Sequence, residues 1–138
     1  MEKIRQHFEK YDRFAKFCGI ELLEMSEGRS KVSMKICEHH LNGVGTVHGG
    51  AIFTLADFAF AIAGNSHGKI AVAINTSISF MKAVSTGSLV AEAWEVTKNP
   101  KLGTYTAEVK DDAGDVVAIF QGLAYRKRDD FESFISKG

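Results

Sequence analysis

One aspartate in this chain stands where only apolar side chains are expected. Residues 51–63 read Ala-Ile-Phe-Thr-Leu-Ala-Asp-Phe-Ala-Phe-Ala-Ile-Ala, and Asp57 carries their one charge. Burying a lone carboxylate is costly unless it is paired, protonated or opened to a site. On a helix its neighbours at three and four residues are Phe53, Thr54, Phe60 and Ala61, so no local cation pairs with it. Thr54 offers a weak local hydrogen bond, and a distant partner is the alternative to a site. A carboxylate in a site can act as a general base on water or as a nucleophile.

A second chemical feature precedes the apolar run. His48-Gly49-Gly50 opens it, and two glycines let a ligand approach the backbone closely. The first amides of a helix lack internal partners and carry the positive end of the helix dipole. They can bind an anion, or an oxygen that becomes anionic during reaction. Gly50 and Asp57 lie seven positions apart and share a helix face, separated by about 10 Å along the axis. That span is too long for both to touch one carbonyl group. Joint action would require two chains, with a two-fold axis bringing Asp57 of one beside Gly49 and Gly50 of the other.

The elements that must position these residues follow from the hydrophobic pattern. Ile4, Phe8, Tyr11 and Ala15 recur at helical spacing and predict an amphipathic helix over residues 1–16. Residues 20–25 and 32–36 alternate as strands around a Ser-Glu-Gly-Arg turn. Residues 39–47 form a loop with Asn42, Gly43 and Gly45. A helix begins within residues 46–50 and runs to about residue 63, where Gly64-Asn65 stops it. Strands are expected over residues 70–83, 89–97, 104–110 and 116–126, followed by a charged tail over 127–138 in which Phe131, Phe134 and Ile135 form a short helical turn. The pattern is an α+β single domain over 1–138. The central helix is apolar on nearly every side, so the sheet must wrap it and bury it all round.

Composition excludes several classes. Lysine plus arginine equals aspartate plus glutamate, 17 against 17, in 138 residues. No bulk charge draws the chain to nucleic acid or an anionic membrane. Cys18 and Cys37 are too few for a disulfide framework and are expected as two buried reduced thiols. No metal-ligand spacing occurs. The charged N-terminus lacks a signal-peptide core, and the longest apolar run falls short of the ~20 residues that cross a bilayer. A cytoplasmic location is expected.

The stretch over residues 41–57, Leu-Asn-Gly-Val-Gly-Thr-Val-His-Gly-Gly-Ala-Ile-Phe-Thr-Leu-Ala-Asp, resembles the PaaI-type thioesterases of the hotdog fold. The continuation Phe58-Ala59-Phe60-Ala61, with Asn65-Ser66, is similar as well. The order of elements matches from about Phe17 to Arg126. The resemblance implies an antiparallel sheet wrapped around one long helix, assembled as dimers and as a homotetramer, with sites at the dimer interface. It implies hydrolysis of an acyl-CoA thioester, with coenzyme A as part of the substrate and no cofactor or metal. By position, Asp57 matches the catalytic carboxylate and Gly49 the amide that polarises the carbonyl. Asn42 matches the residue that positions substrate or water, and His48 the supporting histidine beside Gly49. One departure falls at Phe80-Met81-Lys82-Ala83-Val84, which lacks the proline of many members and leaves the nearby CoA channel open in shape. A strand serine or threonine near the carboxylate corresponds to Thr76 or Ser77.

Stabilising the developing oxyanion at the Gly49 amide would favour the transition state over the ground state. Lys82, Lys98, Lys101, Arg126, Lys127 and Arg128 are candidate contacts for the CoA phosphates, and Phe53, Phe58 and Phe80 for the acyl group. The competing readings are a hotdog hydratase or dehydratase, a non-catalytic acyl-CoA-binding module and a purely structural dimer. His48 and Asp57 lack the His–carboxylate arrangement of the first. The last leaves Asp57 and the glycine-rich helix start unexplained.

Overall fold

The computed structural model describes residues 1–137; Gly138, the end of the charged tail, lies outside the described residues. Two short helices, α1 (Glu2–Tyr11) and α2 (Arg13–Phe17), lead into strands β1 (Ile20–Ser26) and β2 (Arg29–Lys35). The long helix α3 (Gly49–Asn65) comes next, then β3 (Lys69–Phe80), β4 (Ser88–Lys98), β5 (Leu102–Lys110), β6 (Val116–Asp130) and a last helix α4 (Phe131–Lys137). All strand pairs are antiparallel. They form one six-stranded sheet in the order β1-β2-β4-β5-β6-β3. This is the hotdog fold, with α3 lying across the concave face of the sheet.

The strands turn small or branched residues toward α3. Val32, Met34, Leu89, Ala91, Ala107, Val109 and Ala118 have essentially no exposed surface. From the helix, Leu55, Ala56, Ala59, Ile62 and Ala63 are equally inaccessible. The alanines allow close approach, and each fully buried large aliphatic side chain contributes about 1.5–3 kcal/mol. Gly122 on β6 makes room for Phe60, whose ring atoms stand 2.8 Å from where a Cβ would sit. The ends of α3 are pinned separately. Asn65 Oδ1 accepts from Ala71 N at 2.8 Å, and Ser66 Oγ accepts from Gly28 N at 2.7 Å. At the other end Val47 N donates to Val84 O at 2.8 Å. Helix α3 therefore runs antiparallel to β3, its first turn beside Phe80 and its last beside Ala71.

Several elements differ from the sequence expectation. The N-terminal helix is broken at Asp12, whose ψ of 84° is not helical and whose carboxylate caps α2 by accepting from Ala15 N at 3.1 Å. Tyr11 is consequently turned outward. The strand expected over 70–83 ends at Phe80, because the chain leaves the sheet edge to pair with the loop before α3. Strand β6 continues through the charged residues to Asp130, since its partner β3 extends to Lys69. Only then does the tail turn helical, where Phe131 packs on Phe8 and Phe134. Cys18 is buried, but Cys37 is exposed beside the short 3-10 turn Glu38–His40. Among the described residues, no helix is long and apolar enough to cross a membrane.

Candidate active site

Helix α3 is not buried all round. Its sheet-facing residues are inaccessible, whereas Gly50, Ala51, Phe53, Thr54, Asp57 and Ala61 keep exposed surface. Their spacing of three and four makes one stripe along the helix. The stripe borders β3, which with β1 is one of the two edge strands of the sheet and has one unpaired side. Edge strands usually carry charges or breaks that discourage pairing. This one exposes Val72, Ile74 and Phe80, the last two 54% and 53% accessible.

The first turn of α3 assigns its amides unequally. His48 is the N-cap, and its Nδ1 accepts from Gly50 N at 2.8 Å. The neutral ring therefore carries its proton on Nε2. Ala51 N and Ile52 N both turn to His48 O. Among the described residues, Gly49 N has no acceptor. The sequence suggested both glycine amides as donors; the structure leaves that of Gly49 free and occupies that of Gly50. A Cβ at Gly49 would come within 3.2 Å of the Phe80 ring, so the glycine lets that ring pack over the helix start.

Asp57 has no hydrogen-bond or ion-pair partner among the described residues. Thr54 is not its partner, because the hydroxyl donates to Gly50 O at 2.7 Å. Asp57 borders a cavity of about 110 Å³ whose other walls include Ala61, Ala71, Val72 and Ala73. Burial raises its pKa above the ordinary carboxylate range, and the nearby charge of Asp12 raises it further. Asp12 lies 45 positions away in the sequence, and nothing in the local pattern could have connected the two.

Asn42 is engaged in its own loop. Its Oδ1 accepts from Val44 N and Thr46 N at 3.0 and 3.1 Å, and its Nδ2 donates to Thr46 Oγ1 at 2.9 Å. The side chain thereby shapes the approach to His48. On β3, alternation puts Thr76 on the same side as Phe80, the side of α3. Ser77 lies on the opposite side, in a groove of the outer face with Asn75, Thr106 and Gln121. The structure thus separates the two strand candidates and does not bring Ser77 to the helix. Lys82 is also removed from the set of free cations: its Nζ is held by Asp111 and Asp115 at 2.6 and 2.7 Å.

A free amide at a helix N-terminus and an unpaired carboxylate thus lie along α3 beside an open sheet edge. Comparison with known proteins gives the family of the chain. The thioesterase superfamily model matches residues 44–118, a segment containing the helix start, Asp57 and all of β3. Over 132 residues the chain is 46% identical to a protein of Archaeoglobus fulgidus, covering 95% of this chain and 86% of that one. It is 38% identical over 116 residues to the acyl-coenzyme A thioesterase PaaI of Escherichia coli, covering 83% of each chain. The solved structure of the E. coli PaaI protein from the phenylacetic acid degradation operon superposes with a TM-score of 0.89 at 35% identity, covering 93% of this chain and 94% of that one. The chain belongs to the thioesterase superfamily, in its PaaI-like branch.

Proposed function

We propose that this protein hydrolyses acyl-CoA thioesters at a site shared between two copies of the chain, using the Gly49 amide of one and Asp57 of the other. The observation that carries the proposal is the pairing of one unsatisfied helix-start amide with one unpaired, desolvated carboxylate on the single open stripe of α3. Within one chain the two are eight residues, about 12 Å, apart along the helix. Two helices lying antiparallel across a two-fold axis would close that gap. Joining two β3 edges would supply that axis, pair the exposed strand and cover Ile74 and Val72.

In this site the thioester carbonyl oxygen accepts from Gly49 N. Water attacks the carbonyl carbon as Asp57 takes its proton, or the Asp57 carboxylate attacks first and water cleaves the resulting anhydride. Either way the oxygen becomes anionic at the helix dipole, where stabilisation is strongest. The C–S bond breaks as the tetrahedral adduct collapses, which on the nucleophilic route is the step that forms the anhydride, and coenzyme A leaves as its thiolate; the proton released from the attacking water finally goes to that thiolate. His48 keeps the Gly49 amide available by satisfying its neighbour, and Asn42 holds the loop that carries His48. Coenzyme A enters only as part of the substrate, and no metal or redox cofactor has a step.

The test is thiol release from a panel of aryl- and alkyl-CoA thioesters by wild type and Asp57→Ala, with folding of both checked. Turnover that falls at least about 100-fold in the folded variant supports the proposal. Equal rates would remove Asp57 from the mechanism, and no turnover by wild type would favour a binding module. Single turnover in ¹⁸O-water separates the two routes, since only the nucleophilic one can place label in Asp57. Sedimentation reads the assembly, with dimers or pairs of dimers expected and a fully active monomer contrary to a shared site.

A further inference from the structure

We propose that His40 is a positioning residue for the Gly49 amide, its ring tying the loop that ends in the helix start to the junction of α2 and β1. Its effect on turnover rests on the thioesterase proposal above; its effect on the loop does not. His40 is 3% exposed, the most deeply buried histidine of the chain, and has no step in the reaction.

Both ring nitrogens are engaged, each with a different segment. Cys37 N donates to Nδ1 at 2.9 Å. An accepting Nδ1 places the ring proton on Nε2. Nε2 therefore donates to Cys18 O at 2.8 Å, across 22 positions of sequence. Cys18 closes α2, and the last carbonyls of a helix find no partner within it. Gly19, at a φ of 76°, then turns the chain into β1. The ring thus satisfies a buried helix-end carbonyl that would be costly to leave unpaired. Ala15, Cys18 and Ile20 all belong to the core, so the ring is anchored on a packed wall.

A short ladder leads from His40 to the helix start. Its own carbonyl accepts from His48 N at 2.8 Å, Leu41 bridges Val47, and Asn42 N donates to Thr46 O at 2.7 Å. His48 in turn organises the first turn of α3, its carbonyl accepting from Ala51 N and Ile52 N and its ring from Gly50 N. Gly49 N lies in the rigid peptide plane that joins it to His48, so its direction follows the His48 backbone. A second tie runs to the segment after β3, where Val47 N donates to Val84 O and Ser85 Oγ to Gly45 O, both at 2.8 Å. Without the His40 tie the loop keeps that anchor alone, and the peptide bearing Gly49 N is free to tilt about it. Hydrogen bonds weaken steeply as they bend, and an oxyanion donor acts only when aimed in advance.

Two substitutions separate the halves of the ring. His40→Asn sets an acceptor where Nδ1 stands and cannot reach Cys18. His40→Gln carries a donor to the position of Nε2 and lacks the Nδ1 acceptor. In His40→Asn, kcat for an acyl-CoA should fall about tenfold to 100-fold with KM changed less than about twofold, and His40→Gln should recover most of the loss. The infrared stretch of a ¹³C-carbonyl ketone analogue, with CH₂ replacing the thioester sulfur, reads the Gly49 bond directly. Bound to wild type it should lie below its free value, and in His40→Asn it should return toward that value. Loss of folded protein alters only its intensity. Hydrogen exchange reads the loop without substrate: the His48 amide should exchange about tenfold faster in His40→Asn, measured against the amides of β5, and near the wild-type rate in His40→Gln. An unmoved stretch and unchanged His48 exchange in His40→Asn overturn the proposal. So do equal defects in both variants with every amide exchanging faster in parallel, the signature of a packing residue. If His40→Asn does not fold, His40→Gln decides, since any shift of its stretch or of its His48 exchange contradicts the tie. If wild type cleaves no thioester, the hydrolase proposal fails and the exchange measurement judges the tie alone.

Discussion

Asparagine at position 57 keeps the shape of the side chain and removes its charge. In the folded chain the carboxylate is partly buried, unpaired and close to the Asp12 charge, and its pKa stands above the ordinary range. An acid whose folded pKa exceeds its unfolded value of about 3.9 destabilises the fold once it ionises. The penalty is absent below about pH 3.9, grows as pH rises toward the folded pKa, and is fully present above it. Each tenfold change in the ionisation equilibrium corresponds to about 1.4 kcal/mol, and screening at a partly exposed group reduces the effect. Asp57→Asn should therefore be more stable than wild type at pH 7 by on the order of 1 kcal/mol, a few degrees in Tm for a domain of this size. Losing the base or nucleophile should lower turnover by about 100- to 10,000-fold. Thermal unfolding from pH 4 to 8, beside thiol release, reads both effects. A variant that is inactive and less stable at pH 7, with no dependence of the difference on pH, would refute the picture of an unpaired, desolvated carboxylate.

Three further perturbations test the surroundings of that residue. Asp12→Asn retains the cap on α2 but removes the charge that raises the Asp57 pKa, so the acid limb of kcat/KM should move to lower pH; an unmoved limb would exclude coupling between the two. His48→Ala removes the α3 cap and should cost about 0.5–2 kcal/mol in denaturant unfolding, while His48→Asn should recover most of it. Activity in the alanine variant should fall beyond what the stability change explains, because the first-turn amides lose their arrangement. Gly122→Ala forces a methyl group against the buried Phe60 ring and should lower stability by about 1–3 kcal/mol, with little change in KM for the protein that remains folded.

The legible part of the candidate site was local. Asp57 among apolar residues, the His48-Gly49-Gly50 entrance and their common helix face all follow from side-chain types and a 3.6-residue period. The turn at Gly28 and the six strands were visible from turn residues and two-residue alternation. Element ends were less so, because they depend on partners: β6 continues past Arg126 only where β3 is present to pair with it. The break at Asp12 was also missed, since the apolar spacing of Ile4, Phe8, Tyr11 and Ala15 runs through it while the carboxylate favours a new helix start.

By itself, the sequence determined that this chain has one long apolar helix within an antiparallel sheet, a glycine-rich helix start and one carboxylate without local compensation. The tertiary structure decided which of these groups are free. It gave the Gly50 amide to His48 and left that of Gly49 open, turned Ser77 to the outer face, and tied Lys82 to two carboxylates. It also placed Asp12 near Asp57 and gathered Lys69, the β4–β5 turn and the end of β6 into one basic cleft. The division has a physical cause. Periodicity and local hydrogen bonding act within a few residues along the chain, whereas charge coupling, strand register and cavity lining depend on segments joined only when the sheet closes over α3.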